Sequence, residues 1–176
     1  MMVILLDKDG NIIGSQEKMA AHVDGSLHLA FSVFVFDSQG RILLQKRASD
    51  KYHSGGLWTN TCCSHPVPGE NIEEAAHRRL MYEMGMDCKL YFVDKFTYRA
   101  ELDNGLTEHE TDYIFIGISD KYPLPHPEEV EGFRYSYPED IRADILRNPS
   151  DYTEWFRIIM DRYGEIIEDE LGLIAI

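Results

Sequence analysis

The sequence predicts an α+β fold, a mixed β-sheet sandwiched between helices, and three observations predict it. Strand-like runs dominate the first two thirds of the chain, one helix-periodic stretch interrupts them, and helix signals close it. No repeat, low-complexity segment or Pro/Gly-rich linker divides the 176 residues. A single domain is therefore expected, with its core over residues 26–160 and an acidic tail over 164–176.

In order, Val3 to Leu6 and Ile12 to Ile13 read as short strands around the Asp9-Gly10 turn. His28 to Phe36, rich in apolar and aromatic residues, reads as a buried strand. The Asp37-Ser38-Gln39-Gly40 turn returns the chain into Arg41 to Lys46. Ile72, Ala76, Leu80 and Met84 recur every fourth residue, which marks a helix; Asn71 with Glu74 caps its start and Gly85 ends it. Leu90 to Ala100 and Leu106 to Ile118 read as long strands joined at Asp103-Asn104-Gly105, a hairpin signal. Pro138 opens a helix towards Leu146, and Asp151 to Tyr163 forms another that ends at Gly164. The last dozen residues, acidic and apolar by turns, read as a short helix or tail.

Composition excludes several classes of function. A hydrophobic content of 44% is that of a globular chain, not a disordered one. The formal net charge of −14 argues against nucleic acid as a partner, since phosphate backbones select basic faces. An anionic substrate would require Lys, Arg and metal ions to concentrate positive charge locally. Cys62, Cys63 and Cys88 cannot all pair and two are adjacent, so no disulfide framework is visible and a reducing, cytoplasmic setting is expected. No apolar stretch approaches bilayer-spanning length, and the N-terminal Met-Met-Val-Ile-Leu-Leu-Asp lacks a basic segment, so neither a membrane partner nor a signal peptide is expected.

Several residues carry candidate chemistry. Glu108 and Glu110 sit two apart in a strand, so their carboxylates share one face. Two such charges either repel, hold a cation between them, or belong to an exposed polar face. His22 and His28 bracket a turn before the first long strand, and His65 stands in Cys-Cys-Ser-His-Pro. Each alone reads as a surface or satisfied core histidine. Together with the two glutamates they would make a mixed nitrogen and oxygen site suited to Mn, Mg, Fe or Zn. Cys63 reads as a nucleophile, metal ligand or proton carrier, or as an inert buried thiol. A strand or turn aims Cys62 elsewhere, so only one of the pair can face a shared site. Lys18, Arg47 and Lys51 can line a diphosphate pocket or remain solvated surface charges, and Arg79 with Glu83, four apart, reads as a helix ion pair.

These segments together resemble the type 1 isopentenyl-diphosphate isomerases, which are built on the Nudix fold. The resemblance runs through Glu17-Lys18-Met19-Ala20-Ala21-His22, Leu27 to Ser32, Arg47-Ala48, and Trp58 to Pro66. It continues through Arg78 to Gly85, Tyr98-Arg99-Ala100, Glu108-His109-Glu110 and Trp155. Of the Nudix pattern, Gly69, Glu70, Arg78, Glu83 and Gly85 are present. Ser64 stands where the pattern opens with glycine, and Arg79 and Tyr82 replace two glutamates that hold metal in the diphosphatases. Their loss argues against hydrolysis and is typical of the isomerases.

The resemblance implies that His22, His28, His65, Glu108 and Glu110 bind one divalent metal, Mn²⁺ ahead of Zn²⁺. Glu83, with the Cys63 carbonyl and substrate oxygens, would hold Mg²⁺. Lys18, Arg47, Lys51 and Arg79 would contact the diphosphate of a small isoprenoid substrate. Cys63 and Glu110 would lie on opposite faces of its five-carbon unit, with Tyr98 helping in protonation and Trp155 stabilising a carbocation. The expected assembly is a monomer or homodimer. The alternative is a Nudix hydrolase of a nucleotide-type diphosphate, and a third reading is a non-catalytic metal-binding protein that keeps the fold.

Overall fold

A computed structural model describes residues 1–175 of the chain. It opens with a hairpin of β1 (Met2–Leu6) and β2 (Ile12–Glu17), whose turn is closed by Asp7 Oδ1 accepting from the backbone N–H groups of Asp9 and Asn11, each at 2.9 Å. The second strand is longer than the sequence indicates. It runs directly into α1 (Lys18–Asp24), a helix too short to show a period. Glu17 caps that helix, its Oε2 accepting from Ala20 N at 3.1 Å.

The remaining elements are β3 (His28–Phe36), β4 (Ile42–Arg47), β5 (Trp58–Thr59), β6 (Cys62–Ser64), α2 (Ile72–Met84), β7 (Tyr91–Glu101), β8 (Thr107–Ile118), β9 (Val130–Ser136), α3 (Pro138–Arg147) and α4 (Glu154–Ile174). Among the described residues, β5, β6 and β9 are the strands absent from the sequence reading; the first two are too short for a pattern and the last is largely polar.

β3 is the axis of the sheet. It pairs antiparallel with β6 and in parallel with β8, with His28 opposite Glu110 and nine consecutive residues in register. Both of its faces are covered, which is why the strand is a nearly unbroken apolar run. Phe31, Val33 and Val35 pack against Ala76, Leu80 and Met84 of α2, whereas Phe34 and Phe36 meet Trp155, Phe156 and Ile159 of α4 on the other face. This is the mixed sheet between helices that the sequence predicts.

One boundary needs correction. The closing helix does not end at Gly164 but continues to Ile174, so the expected tail is helical. A helical glycine costs only about 1 kcal/mol relative to alanine, and the apolar stripe of Ile159, Met160 and Ile167 continues past it into the core. The bare glycine also leaves room for Arg142, which bonds Glu168 at 2.8 Å across α3 and α4.

Gly85 is a real terminus. It adopts the left-handed conformation at φ 62°, and a Cβ there would lie 2.5 Å from the Leu124 carbonyl oxygen. That close approach lets Leu124 N and His126 N donate to the carbonyls of Met84 and Glu83, at 2.8 and 2.9 Å. Gly85→Ala is therefore expected to cost about 2–5 kcal/mol from left-handed strain plus overpacking. Urea unfolding checks it; a midpoint equal to that of the natural chain would show that the loop yields freely.

Candidate active site

The site begins with the alternation of β8. Glu108, Glu110 and Asp112 point to one face and are buried at 3%, 5% and 1% exposure, so three carboxyl groups line one hollow. The exposed polar face considered for Glu108 and Glu110 is excluded. Tyr98 stands opposite Glu110 in the β7–β8 register and donates its hydroxyl to Glu110 Oε2 at 2.9 Å.

Imidazoles converge on these carboxylates from separate elements. His22 comes from α1, His28 opens β3 and His65 follows β6, with ring centroids 5.0–6.0 Å apart. His28 Nε2 and His65 Nε2 lie 3.1 and 2.8 Å from Glu110 Oε1. His22 Nε2 lies 3.3 Å from Glu108 Oε1, and a fourth imidazole, His53, lies 3.1 Å from that same oxygen. Sequence reading missed His53, which sits in an irregular loop with no period to mark it. It also missed Tyr52, Asp112 and Glu129, which line the same cavity.

The tautomers follow from the backbone. His22 Nδ1 and His28 Nδ1 lie 2.7 and 2.8 Å from the carbonyls of Lys18 and Ser26, which can only accept, so each Nδ1 carries hydrogen. When the ring is neutral, Nε2 then presents a bare lone pair to a carboxylate oxygen. Such a contact is repulsive without a proton or a cation between the two atoms. His22 Nε2 and Glu108 Oε2 are also buried without a hydrogen-bond partner. These orphaned atoms, with a nitrogen and oxygen donor set, fit a divalent cation. Burial works against charge on Glu110, but contacts with Glu108, His28 and His22 hold its carboxyl well below the usual range. His28 is raised: burial opposes its protonation, but the bond to Glu110, the Glu110 charge, the Ser26 carbonyl and the Glu108 charge together outweigh it.

Cys63 and Cys62 part as strand geometry requires. Cys62 is fully buried on the α2 side and donates its thiol to Glu83 Oε2 at 2.6 Å. Cys63 faces the cavity, where burial pushes its thiol up to about 12. Glu83, itself raised by burial, also accepts from Arg79 Nη2 at 3.3 Å. The helix ion pair is thus real, and it is buried in the site.

Four cations from an acidic chain meet here. Lys18, Arg47, Lys51 and Arg79 all line the same cavity of about 120 Å³. Burial, and then Lys51 and Arg47, lower the Lys18 pKa. Lys51 and Arg79 share Glu129 at 2.6 and 3.6 Å. Arg47 lies 5.3 Å over the Trp155 ring, which forms a wall of the cavity. Every residue that the sequence assigned to the site therefore lies in or beside this cavity, Glu83 and Cys63 included.

Residues 26–156 match the NUDIX domain family. The chain is 49% identical over 173 residues to isopentenyl-diphosphate Delta-isomerase 1 of Aromatoleum aromaticum, covering 98% of each. It is 51% identical over 160 residues to isopentenyl-diphosphate Delta-isomerase 2 of Photorhabdus laumondii, covering 91% of this chain and 90% of that one. Among solved structures it is similar to a Deinococcus radiodurans protein, with a TM-score of 0.78, 16% identity and coverage of 92% and 98%. It is also similar to a MutT NUDIX hydrolase of Burkholderia pseudomallei, with a TM-score of 0.62, 19% identity and coverage of 78% and 98%. The solved structures share the fold, the near-half identity along almost the whole length is with isomerases, and the chain belongs to the isopentenyl-diphosphate Delta-isomerases of the NUDIX family.

Proposed function

We propose that this chain interconverts isopentenyl and dimethylallyl diphosphate by adding one proton and removing another, in isoprenoid biosynthesis. The observation that carries the reading is the convergence, at one cavity, of Cys63, the His–Glu cluster and four cations, with Tyr98 bonded to Glu110 behind it. Lys18, Arg47, Lys51 and Arg79 would bind the diphosphate, offsetting a charge that the chain as a whole repels.

His22, His28, His65, Glu108 and Glu110 would hold one divalent metal, Mn²⁺ ahead of Zn²⁺. Glu83 and the Cys63 carbonyl would hold Mg²⁺ with substrate oxygens, in keeping with its habit of using few protein carboxylates. Bound there, Mg²⁺ would neutralise phosphate charge, and the ion at the His–Glu site would offset the charge of the glutamates that hold it.

The rest of the chemistry belongs to side chains. A proton joins the terminal methylene on one face, its new C–H bond taking the π electrons and leaving a tertiary cation. Loss of a proton from the adjacent methylene on the other face returns an electron pair to form the new double bond. Cys63 and Glu110 would take the two faces. In the resting site the Cys63 thiol and Tyr98 hydroxyl keep their protons, burial raising both, while Glu110 is ionised. Water would capture the cation, so the buried lining is part of the mechanism. The Trp155 ring would contribute only about 0.5–2 kcal/mol to its stability, so positioning and charge must do more.

A cytoplasmic setting belongs to the same proposal, supported by three free cysteines. Proton NMR of isopentenyl diphosphate in D₂O with the protein, Mg²⁺ and Mn²⁺ tests the reaction. Dimethylallyl diphosphate carrying deuterium is expected, without phosphate release. Release of inorganic phosphate and no new alkene signal would assign the fold to hydrolysis instead.

A further inference from the structure

The carboxylates at the site are served symmetrically. Glu110 Oε1 meets His28 and His65, and Glu108 Oε1 meets His22 and His53. The metal-competent atoms form two groups, His22 with His28, His65 and Glu110, and His22 with His53 and Glu108, each with its donors within 4.8 Å of one another. His22 belongs to both. Its Nδ1 is committed to the Lys18 carbonyl at 2.7 Å, so only Nε2 is free, and one imidazole nitrogen serves one ion. The two groups therefore cannot hold one ion each through His22, and both are served only by a single cation that His22 shares.

We propose that His53 is a further ligand of that cation, a fourth imidazole beside His22, His28 and His65. This rests on the metal reading given above and adds a donor to it. Its loop is shaped to aim the ring inward. Arg47 Nη2 donates to the His53 carbonyl at 3.2 Å, and Asn104 Nδ2 to that of Tyr52 at 3.2 Å. Ser54, next in the chain, holds a left-handed φ of 53° and donates its N–H to Asp103 Oδ1. Gly55 packs so closely that a Cβ would lie 2.5 Å from the Ser49 carbonyl oxygen. Backbone strain of this kind persists only where surroundings over-determine it. The result stacks His53 on His22, centroids 5.4 Å apart, with its Nε2 towards Glu108.

Four imidazoles and two carboxylates supply six donors, and a nitrogen-rich set favours transition ions over Mg²⁺. With Glu110 engaged through Oε1, its Oε2 stays with the Tyr98 hydroxyl.

The test uses the full chain, stripped of metal and titrated with Mn²⁺, comparing the natural protein with His53→Gln and His53→Ala. Glutamine keeps a side-chain donor for Glu108 but no imidazole. Both variants are expected to weaken the nitrogen-rich Mn²⁺ site by at least about tenfold, and pulsed EPR should show one fewer coupled imidazole nitrogen. Metal-free thermal midpoints should match, which separates ligation from folding. An unchanged dissociation constant and nitrogen count in His53→Gln would reduce His53 to a hydrogen-bond partner of Glu108 and overturn the inference alone. Absence of any imidazole-coupled Mn²⁺ in the natural protein would overturn the metal reading along with it.

Discussion

Glu110→Gln is expected to lower kcat for isomerisation by about 10²–10⁴-fold, the range for loss of a positioned acid–base group. The substitution is nearly isosteric, so the strand and its register with His28 and Tyr98 should persist. What disappears is a charge on which a hydroxyl and two imidazoles converge within 2.8–3.1 Å. The amide can turn its NH₂ to the His28 and His65 nitrogens and keep its oxygen towards Tyr98, so the hydrogen-bond geometry survives while the charge is lost. Steady-state assay by alkene NMR and circular dichroism of the same sample decide it. Turnover within tenfold of the natural chain, with an intact spectrum, would remove Glu110 from the chemistry.

Cys63→Ala is expected to be equally damaging, again by about 10²–10⁴-fold in kcat, and Cys63→Ser should recover part of it. The residue is partly buried between the cavity and the core, so truncation to alanine should cost stability only about 1 kcal/mol, the typical effect of a single substitution. The resting thiol has a signature of its own. Burial raises it to about 12 from the ordinary 9.0, so its thiolate fraction at pH 8 is about a thousandfold below that of a free cysteine. Iodoacetamide should accordingly alkylate Cys63 far more slowly than a small-molecule thiol at that pH, the rate rising tenfold per pH unit. A plateau in that rate near pH 8 would mean that the thiolate is already formed and that the proton inventory drawn above is wrong.

How much of this was legible in the chain varies by residue. Glu108 and Glu110 could be placed on a shared face because strand side chains alternate, and Cys62 and Cys63 could be separated for the same reason. The helix from Ile72 to Met84 announced itself by a fourfold repeat, a cap and a terminal glycine. Gly164 misled, because a local stop signal worth about 1 kcal/mol lost to an apolar stripe that the core could bury. Helix α1 and the loop carrying His53 gave no periodic signal, being a seven-residue helix and an irregular turn. The roles proposed for Tyr98 and Trp155 rest on family resemblance, since no local pattern in the chain marks either residue.

The sequence by itself determined the long elements, their order and the face each side chain takes, since these follow from backbone geometry repeated every two or 3.6 residues. Only the tertiary structure decided the convergence. Parallel pairing of β3 with β8 sets His28 beside Glu110, 82 residues away, and packing of the loop after β4 carries His53 to Glu108. The register of distant strands and the course of an irregular loop depend on contacts across the whole chain, and no local pattern encodes them.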